Sequence, residues 1–137
     1  MAGELLLDTG ALVSLLDRSQ SRHREFVQFF EEWAGPVVST EAVLTEATHL
    51  LSRTANGIEV CLRFFLAGGA TLVPTTRQSV ERARELVVKY LDVPMDYAAA
   101  TLVVLAEELG TNLVFTTDRT DFAIYRWRGR RSFRVVP

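Results

Sequence analysis

The sequence predicts an α/β protein with a parallel sheet and helices on both faces, and three features carry that expectation. Short apolar runs alternate with longer segments of helical periodicity from one end of the chain to the other. Two of these runs, Leu5-Leu6-Leu7 and Leu113-Val114-Phe115, lead directly into hydroxyl and carboxylate residues, Asp8-Thr9 and Thr116-Thr117-Asp118. No linker, repeat or low-complexity tract breaks the alternation, so residues 1–137 read as a single domain, long enough to bury a core without disulfides or a structural metal.

The first run reads as a buried parallel strand that delivers Asp8 to its carboxyl end, where open α/β sheets bind ligands. A carboxylate placed there is costly to desolvate unless something compensates it. Residues 11–17 keep Leu12, Leu15 and Leu16 at helical spacing. Phe26, Phe29, Phe30 and Trp33 then repeat at i, i+3, i+4 and i+7, the stripe of an amphipathic helix that Gly35-Pro36 ends; it suits either core or a partner interface. Residues 37–39 form the second strand, and Ser39 or Thr40 caps a third helix. At 100° per residue, Val43, Leu44, Ala47, Leu50 and Leu51 share one face of it; Glu46 borders that face and Glu41 points away. Asn56-Gly57 opens a fourth helix with Ile58, Cys61, Leu62 and Phe65 on one side, and Gly68-Gly69 closes it. Cys61 on that stripe is core rather than nucleophile.

Residues 70–73 are a third strand, after which Thr75-Thr76-Arg77-Gln78 matches a capping box for a helix with Val80, Ala83, Leu86, Val87 and Tyr90 inward. Pro94 marks the start of the next helix, which puts Asp96 in its first turn, close to unpaired amides. The alanines at 98–100 allow that helix to approach the sheet closely. Residues 112–115 are a fourth strand, residues 119–122 a tight turn, residues 125–131 a basic aromatic stretch and residues 133–136 a last strand.

Composition excludes several classes. With 48% hydrophobic and 23% charged residues the chain is neither disordered nor membrane-embedded, and no segment is long and apolar enough to span a bilayer. One cysteine allows no internal disulfide, and the opening Met-Ala-Gly-Glu has no signal-peptide pattern, so a reducing, cytoplasmic setting is expected. Net charge is -2, but residues 119–137 carry about +5 and the preceding part about -7. Acidic and basic functions are therefore separated along the chain.

Four acids in context carry a resemblance: Asp8 after the first strand, Glu46 in Thr45-Glu46-Ala47, Asp96 in Met95-Asp96-Tyr97-Ala98-Ala99-Ala100, and Asp118 in Thr116-Thr117-Asp118-Arg119-Thr120-Asp121-Phe122. Over essentially the whole chain they resemble the PIN-domain nucleases, and within these the VapC-type ribonuclease toxins of prokaryotic toxin–antitoxin pairs. The resemblance implies a three-layer α/β/α fold with a five-stranded parallel sheet, an acidic pocket holding Mg²⁺ or Mn²⁺, and endoribonuclease activity leaving 5′-phosphate and 3′-hydroxyl ends. It also implies a homodimer and a cognate antitoxin that blocks the pocket. On this reading Asp8, Asp96 and Asp118 hold the metal directly or through water, and Glu46 orients or deprotonates the attacking water. Thr116 is the pocket hydroxyl, and Asp121 is an additional acid or a turn cap.

The chemistry of the residues agrees with that implication. Carboxylates gathered in one pocket repel each other, and a divalent cation relieves the repulsion. Oxygen ligands without a neighbouring histidine or cysteine favour a hard ion over zinc, and His23 and His49 fall on the polar sides of their helices. Arg119, Arg126, Arg128 and Arg130 border the same sheet edge as candidate contacts to RNA phosphates; an acidic inhibitory peptide and plain solvation are the other readings. Trp127 either stacks on a base or packs. A phosphoacceptor receiver needs a lysine on its last strand, whereas the single lysine here, Lys89, is helical. A haloacid-dehalogenase-like phosphatase needs a second aspartate where this chain has Gly10. The remaining alternative is a non-catalytic PIN-like module that binds RNA or protein without turnover.

Overall fold

Three consecutive leucines without exposed surface form β1 (Leu5–Leu7), the middle strand of the sheet in the computed structural model, which describes residues 3–137. A parallel strand covered on both faces requires such an unbroken apolar run. The sheet has five strands in the order β3 (Thr71–Val73), β2 (Val37–Thr40), β1, β4 (Leu113–Phe115) and β5 (Arg134–Val136), all parallel. Leu6 is in register with Val38 on one side and Val114 on the other.

Parallel neighbours need crossovers, and seven helices among the described residues supply them. The chain runs through α1 (Thr9–Leu16) and α2 (His23–Glu32) to β2, then α3 (Glu41–Leu51) and α4 (Gly57–Leu66) to β3. It returns by α5 (Arg77–Lys89) and α6 (Tyr97–Leu109) to β4, and by α7 (Arg119–Ile124) to β5. Strand order moves one way from β1 to β3 and the other way from β4 to β5. Right-handed crossovers therefore send α1–α4 to one face and α5–α7 to the other. Packing agrees, with α1 against α2 and α3, α3 against α4, and α5 against α6. The result is the three-layer α/β/α fold expected from the sequence.

Two blocks hold these layers together. On one face the rings of Phe26 and Phe29 lie 5.1 Å from that of Phe115, so the aromatic stripe of α2 is core. On the other, α6 is buried at Ala98 and continuously from Ala100 to Ala106, and the small side chains let it sit against β1 and β2. Cys61 is buried as expected, and burial pushes its thiol pKa up.

The structure corrects several expectations. Leu50 at the end of α3 is exposed rather than inward, and so are Ile58 and Leu62, because α4 packs only along the stripe that meets α3 and α1. Val80 is also exposed; α5 buries Ala83 and Leu86 against α6. The capping box of α5 lies one residue later than expected, with Thr76 and Ser79 exchanging bonds. The expected tight turn at 119–122 is instead the opening of α7, since the Asp118 carboxylate accepts the Asp121 backbone N–H at 3.0 Å and caps a helix.

Candidate active site

The switch point of this sheet lies between β1 and β4, whose following helices go to opposite faces, and such a crevice is where α/β sheets place their ligands. Asp8 ends β1 there and is the N-cap of α1; its backbone N–H donates to Phe115 O at 3.0 Å, which fixes it against β4. Across the crevice the Thr116 hydroxyl donates to Asp8 Oδ2 at 2.6 Å. Thr116 Oγ1 in turn accepts the Asp118 backbone N–H at 2.9 Å. One buried hydroxyl thus ties the two strand-end aspartates together. Gly10 permits the close approach, because a Cβ there would collide with the Thr117 side chain.

Asp96 comes from the opposite helical layer. It is the N-cap of α6, with its carboxylate accepting the Ala99 N–H at 2.7 Å, so it precedes the first turn rather than lying within it. The Thr40 and Thr101 hydroxyls, 2.8 Å apart and buried, pin the start of α3 to α6. That contact sets Glu46 on the same side as Asp96, and both line one cleft. Glu41, turned away from the buried face of α3 as its helical angle required, accepts the Thr75 N–H at 2.6 Å through Oε1 and lines the same cleft. A second concavity, of about 370 Å³, is lined by Asp96, Asp118, Asp121 and Tyr125.

Electrostatics record the crowding. Burial raises the pKa of Asp8 to about 6, against the lowering pull of the Thr116 hydroxyl and the Thr9 backbone; the charges of Glu46 and Asp96 add to the rise. Desolvation and the charge of Asp118 likewise raise Asp121. Tyr125, buried beneath these acids, has its pKa raised by burial and then by Asp121, Asp118, Asp96 and Asp8 in turn. Sequence reasoning missed this tyrosine as part of the site. Its position four residues after Asp121 in the α7 stretch was the available signal.

Among the described residues no three acidic, histidine or cysteine groups close on a single point that would grip a bare ion. The pocket is ringed by carboxylates, each with one oxygen already engaged in the cases of Asp8, Asp96 and Asp118. The donor set is all oxygen, and beside Asp8 the buried Thr9 Oγ1 has no partner among the described residues. These features fit a hard cation that keeps several of its waters.

The candidate RNA-contacting arginines have other engagements. Arg126 donates to the carbonyls of Ala123, Ile124 and Tyr125, and Arg128 donates to Glu107 O from both Nε and Nη2. Arg119 donates to Pro137 O. Arg130 is exposed on the turn between Trp127 and Arg131. Trp127 packs: it is buried, and its indole N–H donates to Ser132 O at 3.1 Å.

Carboxylates gathered at the switch point of an all-parallel sheet define a class of α/β proteins that present an acidic, oxygen-only pocket at the carboxyl edge. Within that class the chain belongs to the PIN domain family, whose model matches residues 5–127. It is 30% identical over 135 residues to Ribonuclease VapC26 of Mycobacterium tuberculosis (strain ATCC 25618 / H37Rv), covering 97% of this chain and 100% of that protein. Its fold is similar to that of Mycobacterium tuberculosis VapC20, a sarcin-ricin loop cleaving toxin, with a TM-score of 0.79 at 19% identity, over 85% of this chain and 91% of that one. A toxin–antitoxin complex from Klebsiella pneumoniae gives a TM-score of 0.68 at 20% identity, over 97% of this chain and 96% of that one.

Proposed function

We propose that this protein is a metal-dependent endoribonuclease, the toxin of a toxin–antitoxin pair, acting on RNA at the pocket between β1 and β4. The observation that carries the reading is the Thr116 hydroxyl bridging Asp8 and the Asp118 backbone across the switch point, with Asp96, Glu46 and Asp121 around it. Membership of the PIN family and the ribonuclease relative supply the class of chemistry.

In this reading Asp8, Asp96 and Asp118 hold Mg²⁺ or Mn²⁺, partly through water, with Asp121 as an additional acid. When bound, the cation offsets the crowded negative charge, makes a bound water more acidic and steadies charge on the scissile phosphate. Thr116 keeps the Asp8 carboxylate in one orientation by its 2.6 Å bond. Asp96, anchored through Oδ1 by the Ala99 amide, lines the pocket and keeps its second oxygen for the cation. Glu46, partly exposed on α3, accepts a proton from the attacking water or aligns it. A cognate antitoxin restrains the activity, and the toxin works as a homodimer.

The test is incubation of purified protein with structured and unstructured RNAs in Mg²⁺, Mn²⁺ or chelator, beside Asp8→Asn. Cleavage that needs metal and vanishes in the variant, leaving 5′-phosphate ends, is expected. Metal binding that depends on Asp8 but never accompanies cleavage of any RNA would favour the non-catalytic module.

A further inference from the structure

Tyr97 opens α6 immediately after Asp96, yet its ring faces outward: the residue is 43% exposed, and among the described residues no hydrogen bond or aromatic neighbour holds it. A large exposed aromatic at the lip of an acidic pocket is not required by the core, whose α6 contacts come from Ala98 and the positions after it. Tyr97 lines a cleft of about 840 Å³ between α3 and the start of α6. That cleft adjoins the acidic pocket, since Asp96 lines both.

The remaining walls decide what fits. Ala42 and Ala98 are apolar, Glu41, Glu46 and Asp96 are acidic, and Thr45, Thr75 and His49 complete the lining, with no arginine or lysine. Three carboxylates against a single imidazole make the cleft a poor seat for a phosphate. A flat, neutral ring finds a stacking partner in Tyr97 and carboxylate oxygens able to accept from an exocyclic amine. We propose that the α3–α6 cleft is a subsite for an unpaired, amine-bearing nucleobase of the RNA next to the scissile phosphate, with Tyr97 as the stacking platform and Glu41 or Glu46 accepting from the amine. This rests on the ribonuclease reading, because RNA threaded across the acidic pocket puts its neighbouring nucleotide in this cleft. Uracil, which has no exocyclic amine, is the disfavoured base.

The experiment measures fluorescence anisotropy of labelled eight-nucleotide oligoadenylate and oligouridylate with Ca²⁺ in place of Mg²⁺, so that affinity is read apart from turnover. Wild type is expected to bind oligoadenylate several-fold more tightly than oligouridylate. Tyr97→Ala is expected to weaken oligoadenylate binding about tenfold, the loss of one stacked base, while Tyr97→Phe keeps it. Alanine at the first position of a helix is well tolerated, and circular dichroism of the variant checks the fold. Equal oligoadenylate affinity in wild type and Tyr97→Ala overturns the subsite, as does absence of binding to either RNA. Binding of octa-arginine that depends on Tyr97, with RNA binding unaffected, overturns it in favour of a basic peptide. Parallel cleavage assays separate the two ideas. Tyr97-dependent binding without cleavage of any RNA supports the subsite and removes the nuclease; metal-dependent cleavage with Tyr97-independent binding does the reverse.

Discussion

Asp8 shows how one residue couples stability to function. Its pKa rises from 3.8 to about 6 on folding, so between those values the native state holds the extra proton and stability falls as pH rises. Two units correspond to about 3 kcal/mol of differential interaction, fully expressed above pH 6. Chelator-treated protein is therefore expected to melt at lower temperature at pH 7 than at pH 5, and Asp8→Asn to flatten that dependence; a melting curve indifferent to pH in wild type would contradict it. Below pH 6 protonation of Asp8 competes with a cation, so metal affinity measured by calorimetry should drop. Thr116→Val removes the donor to Asp8 and leaves the Asp118 amide without its partner, at a cost of about 2 kcal/mol. Urea unfolding should register that loss, and cleavage should fall by a larger factor than Thr116→Ser, which keeps the hydroxyl.

The helices explain why some acids are hard to interpret from stability alone. Asp96 caps α6, and asparagine caps about as well as aspartate. Asp96→Asn is thus expected to keep or raise the metal-free melting temperature while abolishing cleavage, whereas Asp96→Ala loses about 1 kcal/mol with the cap. Comparable destabilisation by both substitutions would show that the charge itself stabilises the helix. On the far side of α6, Glu107 accepts from Arg82 of α5 at 2.8 and 3.0 Å and from the Arg128 backbone at 2.7 Å. Burial would raise the pKa of Glu107, but these donors outweigh it and hold it below its ordinary value. Glu107→Gln should loosen α5, α6 and the C-terminal turn together. Because Arg82 is partly solvated, the expected loss is only about 1 kcal/mol, and hydrogen exchange in the turn is the sensitive readout.

For the whole molecule, charge separation along the chain becomes separation of roles. The acidic pocket sits at the carboxyl edge, while the basic tail spends Arg126 and Arg128 on backbone carbonyls. Arg128→Glu is expected to lower stability as well as RNA affinity, and Arg130→Glu to change affinity and its salt dependence alone. Equal salt slopes for wild type and Arg130→Glu would remove Arg130 from RNA contact.

Periodicity was enough to give five strands, their parallel direction and most helices, because Leu5 to Leu7, Leu113 to Phe115 and the stripe from Phe26 follow the repeat of their own element. Asp8, Asp96 and Asp118 stood out for the same reason: each sits where a strand or helix begins or ends, and those boundaries are written locally. Which apolar faces stay in solvent was not written there. Leu50, Ile58, Leu62 and Val80 match their stripes, but packing partners, not spacing, determine burial, and the neighbours that α3, α4 and α5 meet leave these positions uncovered. The Thr116 bridge between residues 108 positions apart and Tyr97 on an open cleft arise only from tertiary structure. Local sequence sets which group ends an element; only the folded sheet decides which ends meet, because proximity across the switch point follows from strand order rather than from any interval along the chain.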